Sequence, residues 1–188
     1  MTCIVGLEWN NAAFIGGDLQ GTGGNHSFQH TQPKIFERGG VLFGYTTSYR
    51  FGQIIENHLQ DPLHVPENRN DVYYWICQEL VPKMIITLEQ NNWGQGGTML
   101  LAVHGQLWTL QSDFSVLRSV EGYNAVGSGY EYALGSLHTY IMNQQYYGIP
   151  EREYYNDTFP EQMIKDAISA AAFFSPSVGK DSVVKKNQ

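Results

Sequence analysis

Thr2-Cys3-Ile4-Val5-Gly6-Leu7, the pair Asn10-Asn11, and Ala12-Ala13-Phe14-Ile15-Gly16-Gly17-Asp18 form the stretch on which the fold turns. The first segment is short, apolar and rich in β-branched residues. That pattern predicts a buried strand beginning at the chain's first residues. Asn10-Asn11 is a turn signal and Ala12 to Gly17 reads as a second strand, so the two close as a hairpin. The hairpin returns Asp18 close to the start of the first strand. A carboxylate and the Thr2 hydroxyl are thereby brought to one end of an otherwise apolar ribbon.

Outward from this hairpin, Gly21-Thr22-Gly23-Gly24-Asn25 reads as a loop. Lys34-Ile35-Phe36, Gly39-Gly40 and Val41 to Tyr45 read as a further hairpin. From Ser48 to Gln60, Phe51, Ile54, Ile55 and Leu59 recur at helical spacing. Asp71 is a cap signal for a second helix, with Val72, Trp75, Ile76, Leu80, Met84 and Ile85 facing inward and Pro82 as a kink. Thr98 to Val103, Gln106 to Leu110, Val116 to Val120 and Tyr123 to Val126 read as strands, with a turn at His104-Gly105. Tyr130 to Tyr147 and Pro160 to Phe174 read as helices, and Lys185-Lys186-Asn187-Gln188 as a frayed tail. Strands, two helices, strands, two helices is not the alternation of a doubly wound parallel sheet. The order predicts an α+β fold, a four-layer αββα sandwich of two antiparallel sheets flanked by helix pairs. No repeat, linker or low-complexity tract divides residues 1–188, so one domain is expected.

The chain has 188 residues, 42% of them hydrophobic and 15% charged, and a net charge of −7. That acidic balance argues against broad binding of nucleic acid or anionic membrane. No apolar run is long enough for a spanning helix, and the N-terminus lacks the basic and apolar regions of a signal peptide. A cytoplasmic location is expected, and Cys3 and Cys77 are expected as free thiols. In that setting the glycosylation patterns at Asn25-His26-Ser27 and Asn156-Asp157-Thr158 carry no meaning. The six histidines follow no metal-ligand spacing, and there is no phosphate-binding loop or GxSxG elbow. No metal and no cofactor are therefore expected. The aromatic groups Tyr73-Tyr74-Trp75, Tyr146-Tyr147 and Tyr154-Tyr155 suit packing or subunit contacts.

Thr2 follows the initiator Met, and Thr is small enough that Met1 is normally removed before it. The exposed α-amine has an ordinary pKa of about 7.7–8.0, so near neutral pH part of it is a free base. One residue then holds both a nucleophile and its base. Asp18 and Lys34 extend this chemistry: a Lys beside the hydroxyl favours its ionised form, and an Asp holds that Lys charged and oriented. Gly127-Ser128-Gly129 opens a helix and offers a hydroxyl and backbone N–H groups. Singly, each has a plainer reading: Thr2 an ordinary second residue, Asp18 a turn residue, Lys34 a solvated charge, Ser128 a helix cap.

Together they resemble one family. Gly17-Asp18-Leu19-Gln20-Gly21-Thr22-Gly23-Gly24-Asn25 resembles the Gly-Asp-x-Gln-x-Thr-x-Gly-Asn segment of HslV-type peptidases, the simpler relatives of proteasome β-subunits. Asp18 lies 16 residues after Thr2 and Lys34 lies 32 after it, the family's spacing for its catalytic Thr, Asp and Lys. Pro33-Lys34-Ile35-Phe36, Phe43-Gly44-Tyr45-Thr46-Thr47-Ser48 and Gly127-Ser128-Gly129 with Tyr132-Ala133 resemble further family segments. The resemblance implies a threonine peptidase of the N-terminal-nucleophile class. In it Thr2 attacks, its α-amine takes the proton, Lys34 lowers the hydroxyl pKa, Asp18 orients Lys34 and Ser128 lies near the amine. It also implies that the Thr47 N–H donates to the oxyanion, and that Thr22, Thr46 and Gly129 bind an extended substrate. Unfolded polypeptide is the implied substrate, a homo-oligomeric ring the implied assembly, and an AAA+ unfoldase the implied partner.

The chain departs from the family at two places. Thr47 stands where a Gly is usual, which puts the loop's conformation in question. The segment Phe174-Ser175-Pro176-Ser177-Val178-Gly179 lacks the Asp that supports the nucleophile in proteasome subunits, leaving Ser175 or Ser177 as stand-ins. Asp166 falls inside the preceding helix and does not take that place. Two other functions compete: a non-catalytic ring or assembly subunit, and an amide hydrolase of small molecules with the same fold.

Overall fold

The opening hairpin forms as read. In a computed structural model describing residues 2–23, 26–60, 63–147 (side chains to 143) and 158–188, β1 (Cys3–Trp9) pairs antiparallel with β2 (Ala12–Asp18). Asn10 and Asn11 take φ of 48° and 60°, the left-handed pair that a tight two-residue hairpin needs. Met1, Gly24, Asn25, Tyr154-Tyr155, Asn156-Asp157 and the Tyr146-Tyr147 side chains lie outside the described residues.

Both faces of this hairpin are buried, which is why its residues are apolar throughout rather than alternating. On one face Val5, Leu7, Trp9 and Phe14 join a core completed by α4 (Tyr130–Tyr147) and α5 (Thr158–Phe174). On the other face Ile4, Ala13 and Ile15 meet Ile35, Leu42, Leu100 and Leu107 of a second sheet. That sheet runs β5 (Ile35–Arg38), β6 (Val41–Tyr45), β7 (Met99–Val103), β8 (Gln106–Leu110) and β9 (Val116–Leu117), every pairing antiparallel. Its outer face packs on α1 (Tyr49–His58), α2 (Val72–Trp75) and α3 (Val81–Gln90). The layers are therefore helix, sheet, sheet, helix, as the element order predicts.

Several local expectations are corrected. The segment read as a frayed tail belongs to β11 (Ser182–Asn187), which pairs with β2 from Ser182↔Asp18 to Asn187↔Ala13. Ser182-Val183-Val184 supplies the β-branched residues, and pairing removes an open edge from β2. The first sheet is then β10 (Tyr123–Gly127), β1, β2, β11. Within the stretch read as a loop, β3 (Gln20–Gly23) pairs with β4 (His26–Gln29) as a separate ribbon. Asp71 makes no capping bond; Asn68 caps a short 3-10 turn at Arg69–Asp71 that leads into α2. Val120 is fully exposed, and only Val116–Leu117 of its segment forms a strand. Pro82 is accommodated by a π-helical turn at Ile76–Leu80, since proline removes a donor and crowds the carbonyl four residues back.

A structural strand and a frayed tail differ measurably. Deleting residues 182–188 is expected to lower the thermal midpoint by on the order of 5 °C, because about 2 kcal/mol moves a chain of this size by that much. Removal of a frayed tail leaves the midpoint unchanged; differential scanning calorimetry distinguishes the two.

Candidate active site

At the open end of the first hairpin the register Ile4↔Gly17 sets Asp18 opposite Cys3 and next to Thr2. Asp18 is wholly buried, and a buried carboxylate requires donors. It has five. Oδ1 accepts from the Thr2 hydroxyl at 3.2 Å, the Cys3 N–H at 2.9 Å and Lys34 Nζ at 2.8 Å. Oδ2 accepts from the N–H groups of Gln20 and Gly179, each at 3.1 Å.

Lys34 enters from the other sheet, directly before β5, and is 2% exposed. Its ammonium also donates to the Gln20 carbonyl at 2.6 Å, a group that the Tyr49 hydroxyl approaches at 3.4 Å. Burial lowers the Lys34 pKa below the ordinary lysine value, and the charge and hydrogen bond of Asp18 oppose that shift. Burial, reinforced by the Asp18 charge, pushes the neighbouring Cys3 thiol up to about 12. Cys3 is therefore a neutral, poorly nucleophilic thiol near pH 7.

On its other side Thr2 meets the Gly127-Ser128-Gly129 turn. The Thr2 N–H donates to Ser128 Oγ at 3.3 Å, and that hydroxyl lies 3.3 Å from the Thr2 carbonyl oxygen. Gly127 has φ of 99°, and a Cβ there would stand 2.2 Å from the Thr2 carbonyl oxygen, so this position requires glycine. Ser128 Oγ contacts Ser177 Oγ at 3.1 Å, and Ser177 contacts Ser175 at 2.8 Å. Both stand-ins named from the sequence thus join a chain of hydroxyls leading to the Thr2 nitrogen. Asp166 bonds instead to Tyr140 and Gln162 within the helix layer.

Thr47 takes φ of 75°, and the Ser48 N–H bonds back to the Thr46 carbonyl at 2.9 Å across it. This two-residue closure around a positive φ is a γ-turn of the strained hand, in a β-branched residue. Bonds from Thr46 N–H to the Thr98 carbonyl at 3.0 Å and from Thr98 N–H to Thr47 Oγ1 at 3.3 Å hold it. The loop thus keeps a glycine-like conformation without glycine. The Thr47 N–H makes no bond with any described residue.

Thr2, Thr22, Lys34, Tyr45, Thr46, Thr47, Ser48, Tyr49 and Arg50 line one cleft of about 320 Å³. Seven of the eight residues named from the sequence therefore meet: Thr2, Asp18, Lys34 and Ser128 through hydrogen bonds, and Thr22, Thr46 and Thr47 on the cleft wall. Gly129 does not reach it. A Cβ there would lie 2.8 Å from Val178 and 2.9 Å from Ala171, so its role is close packing of α4 against α5. Gln20, Tyr49 and Arg50 escaped the sequence reading, since nothing in their spacing ties them to Thr2. Among the described residues no cluster of His, Cys, Asp and Glu could hold a metal ion, and no helix is long and apolar enough to cross a membrane.

No family model and no curated protein sequence matches the chain. Solved structures do. A structure of the Thiobacillus denitrificans protein BPH in complex with epoxomicin superimposes with a TM-score of 0.77 at 17% identity, over 99% of this chain and 98% of that one. Eukaryotic HslV from Trypanosoma brucei gives 0.66 at 13% identity, over 98% of both chains. Anbu, an ancestral β-subunit, from Yersinia bercovieri gives 0.68 at 14%, over 98% of this chain and 81% of that one. The fold is that of the N-terminal-nucleophile hydrolases. At such identities the likeness extends to the fold, so the chemistry rests on the residues themselves.

Removing the charge of Asp18 leaves Lys34 buried without its counter-ion. Asp18→Asn is therefore expected to lower the unfolding free energy by about 3–5 kcal/mol, measured by urea denaturation. A loss below about 1 kcal/mol, typical of a solvated surface pair, contradicts the buried-pair geometry.

Proposed function

We propose that this chain is a threonine endopeptidase whose nucleophile is Thr2 after removal of Met1. The observation that carries the reading is convergence. The Thr2 hydroxyl, the ammonium of Lys34 and the free N–H of Thr47 share one cleft, and the Thr2 nitrogen lies against Ser128.

The mechanism follows from these positions. Thr2 Oγ1 attacks the carbonyl carbon of a peptide bond and its proton passes to the α-amine, through water. The Lys34 charge, held in place by Asp18 and the Gln20 carbonyl, stabilises oxygen anion character on Thr2. The carbonyl oxygen becomes the oxyanion and accepts from the Thr47 N–H, an interaction worth about 3–4 kcal/mol in comparable sites. The carbon–nitrogen bond then breaks, the departing amine takes the proton from the α-ammonium, and an ester to Thr2 Oγ1 remains. Water, deprotonated by the same amine, hydrolyses that ester and restores Thr2. The chain of Ser128, Ser177 and Ser175 positions the amine without a second carboxylate. Thr22 pairs its backbone with an extended substrate strand, and Thr46 flanks it.

Unfolded polypeptide suits an extended, backbone-read substrate. A homo-oligomeric ring with its sites facing an inner chamber, fed by an AAA+ unfoldase in the cytoplasm, completes the reading. The resemblance of Gly17 to Asn25 to the HslV segment, and the shared fold with HslV, support it. So do the exposed aromatics Tyr130, Tyr132, Phe173 and Phe174 on the α4–α5 layer, which suit subunit contacts.

Thr2→Ala is expected to reduce cleavage of an unfolded protein such as casein by at least about 10³-fold, with the elution volume on size exclusion unchanged. Residual cleavage near the parental rate in a clean Thr2→Ala sample moves the nucleophile elsewhere. An active parent that cleaves only small amides supports the amide-hydrolase alternative instead.

A further inference from the structure

The charges around the cleft are not balanced. Among the described residues no carboxylate lines it, while two cations do, Lys34 and Arg50. The Lys34 charge is committed: its ammonium is buried and bonded to Asp18 and the Gln20 carbonyl. Arg50 is in the opposite condition. It is exposed, its backbone N–H is taken by the Ser48 cap at 3.1 Å, and its guanidinium makes no ion pair or hydrogen bond with any described residue. Glu56 lines an adjoining hollow with Tyr45, Tyr49 and Arg50, and forms no ion pair with Arg50. The start of α1 adds field of the same sign, because its first turn carries no acidic residue.

We infer that this cleft selects substrates with an acidic side chain beside the attacked carbonyl, and that Arg50 is the residue that sets the preference. The inference rests on the peptidase reading above and narrows its substrate class. Thr47, which offers the free N–H for the carbonyl oxygen, lies in the turn before α1, and Arg50 lies three residues on in the first turn of α1; both line the cleft and border the same short stretch of substrate. A guanidinium presents a planar fork of donors that matches a carboxylate in two parallel hydrogen bonds. A substrate ammonium placed there meets the unpaired guanidinium of Arg50, while the Lys34 charge is already offset by Asp18, so basic side chains are disfavoured by the same wall. Tyr45 and Tyr49 line the cleft beside Arg50 and give the methylene stem of a glutamate an aromatic wall.

The test is a set of fluorogenic peptides that differ only in the residue before the reporter, which is Glu, Gln, Leu or Lys. Values of kcat/KM are measured for the wild type, Arg50→Gln and Arg50→Glu, with thermal midpoints as a check on folding. For the wild type, Glu is expected to exceed its isostere Gln by on the order of tenfold, the scale of one charge-assisted hydrogen bond, and Lys is expected to be the poorest. The Glu/Gln ratio is expected to fall to near one in Arg50→Gln, and Lys to overtake Glu in Arg50→Glu. A wild type that cleaves Gln, Leu or Lys peptides as well as Glu overturns the inference and leaves the peptidase reading standing. A Glu preference that survives in Arg50→Gln overturns the assignment to Arg50. No cleavage of any peptide by wild-type protein shown by mass to begin at Thr2 overturns both.

Discussion

The Asp18 carboxylate is the constraint on which the site is built. It is buried beyond the reach of water, and a charge in that position persists only when its oxygens are filled. Five donors from four separate stretches of chain fill them: the start of the first strand, Gln20 at the start of the third, the lysine before the second sheet, and the turn leading into the last strand. One carboxylate thereby ties the two sheets together at the end where the cleft opens. It also orders the Thr2 hydroxyl, because Thr2 and Lys34 share the same oxygen atom.

The rest of the site follows from elements converging on that point. Gly127 lets the tenth strand pass within van der Waals contact of the Thr2 carbonyl, which delivers Ser128 to the Thr2 nitrogen. The γ-turn at Thr47 is strained, and strain of this kind persists only where neighbouring bonds over-determine it. Here Thr98 does so with two bonds, one to the Thr46 N–H and one to the Thr47 hydroxyl. The strand that supplies Thr98's neighbours belongs to the second sheet, so sheet packing and cleft geometry are coupled. The serine chain links three hydroxyls to the Thr2 nitrogen, which is held there without added negative charge.

Much of this was legible in the sequence, for a physical reason. A tight hairpin fixes spacing, so Asp18 had to return to Thr2, and the next hairpin had to begin near Lys34. Helical periodicity gave the four helix regions, and the order of elements gave the layers. What escaped depends on contacts between distant parts of the chain. Lys185 to Gln188 reads as a frayed tail, yet Lys185 to Asn187 belong to a strand that pairs with β2, because an open edge there is costlier than ordering a short tail. Gly129 reads as part of a binding turn, yet the space beside it is filled by Val178 and Ala171 of another region. Arg50 received no reading from the sequence, because its place on the cleft wall depends on how α1 packs beside Thr2.

The central claim is that Thr2 carries both the nucleophile and its base, and intact-mass spectrometry after treatment with a peptide epoxyketone tests it most directly. Such a reagent offers a ketone to the hydroxyl and an epoxide to the adjacent amine, so a stable adduct needs both on one residue. The expected result is a chain lacking Met1, with a single adduct mass that peptide mapping assigns to Thr2. A chain that begins at Thr2 and stays unmodified, or an adduct on any other residue, contradicts the claim.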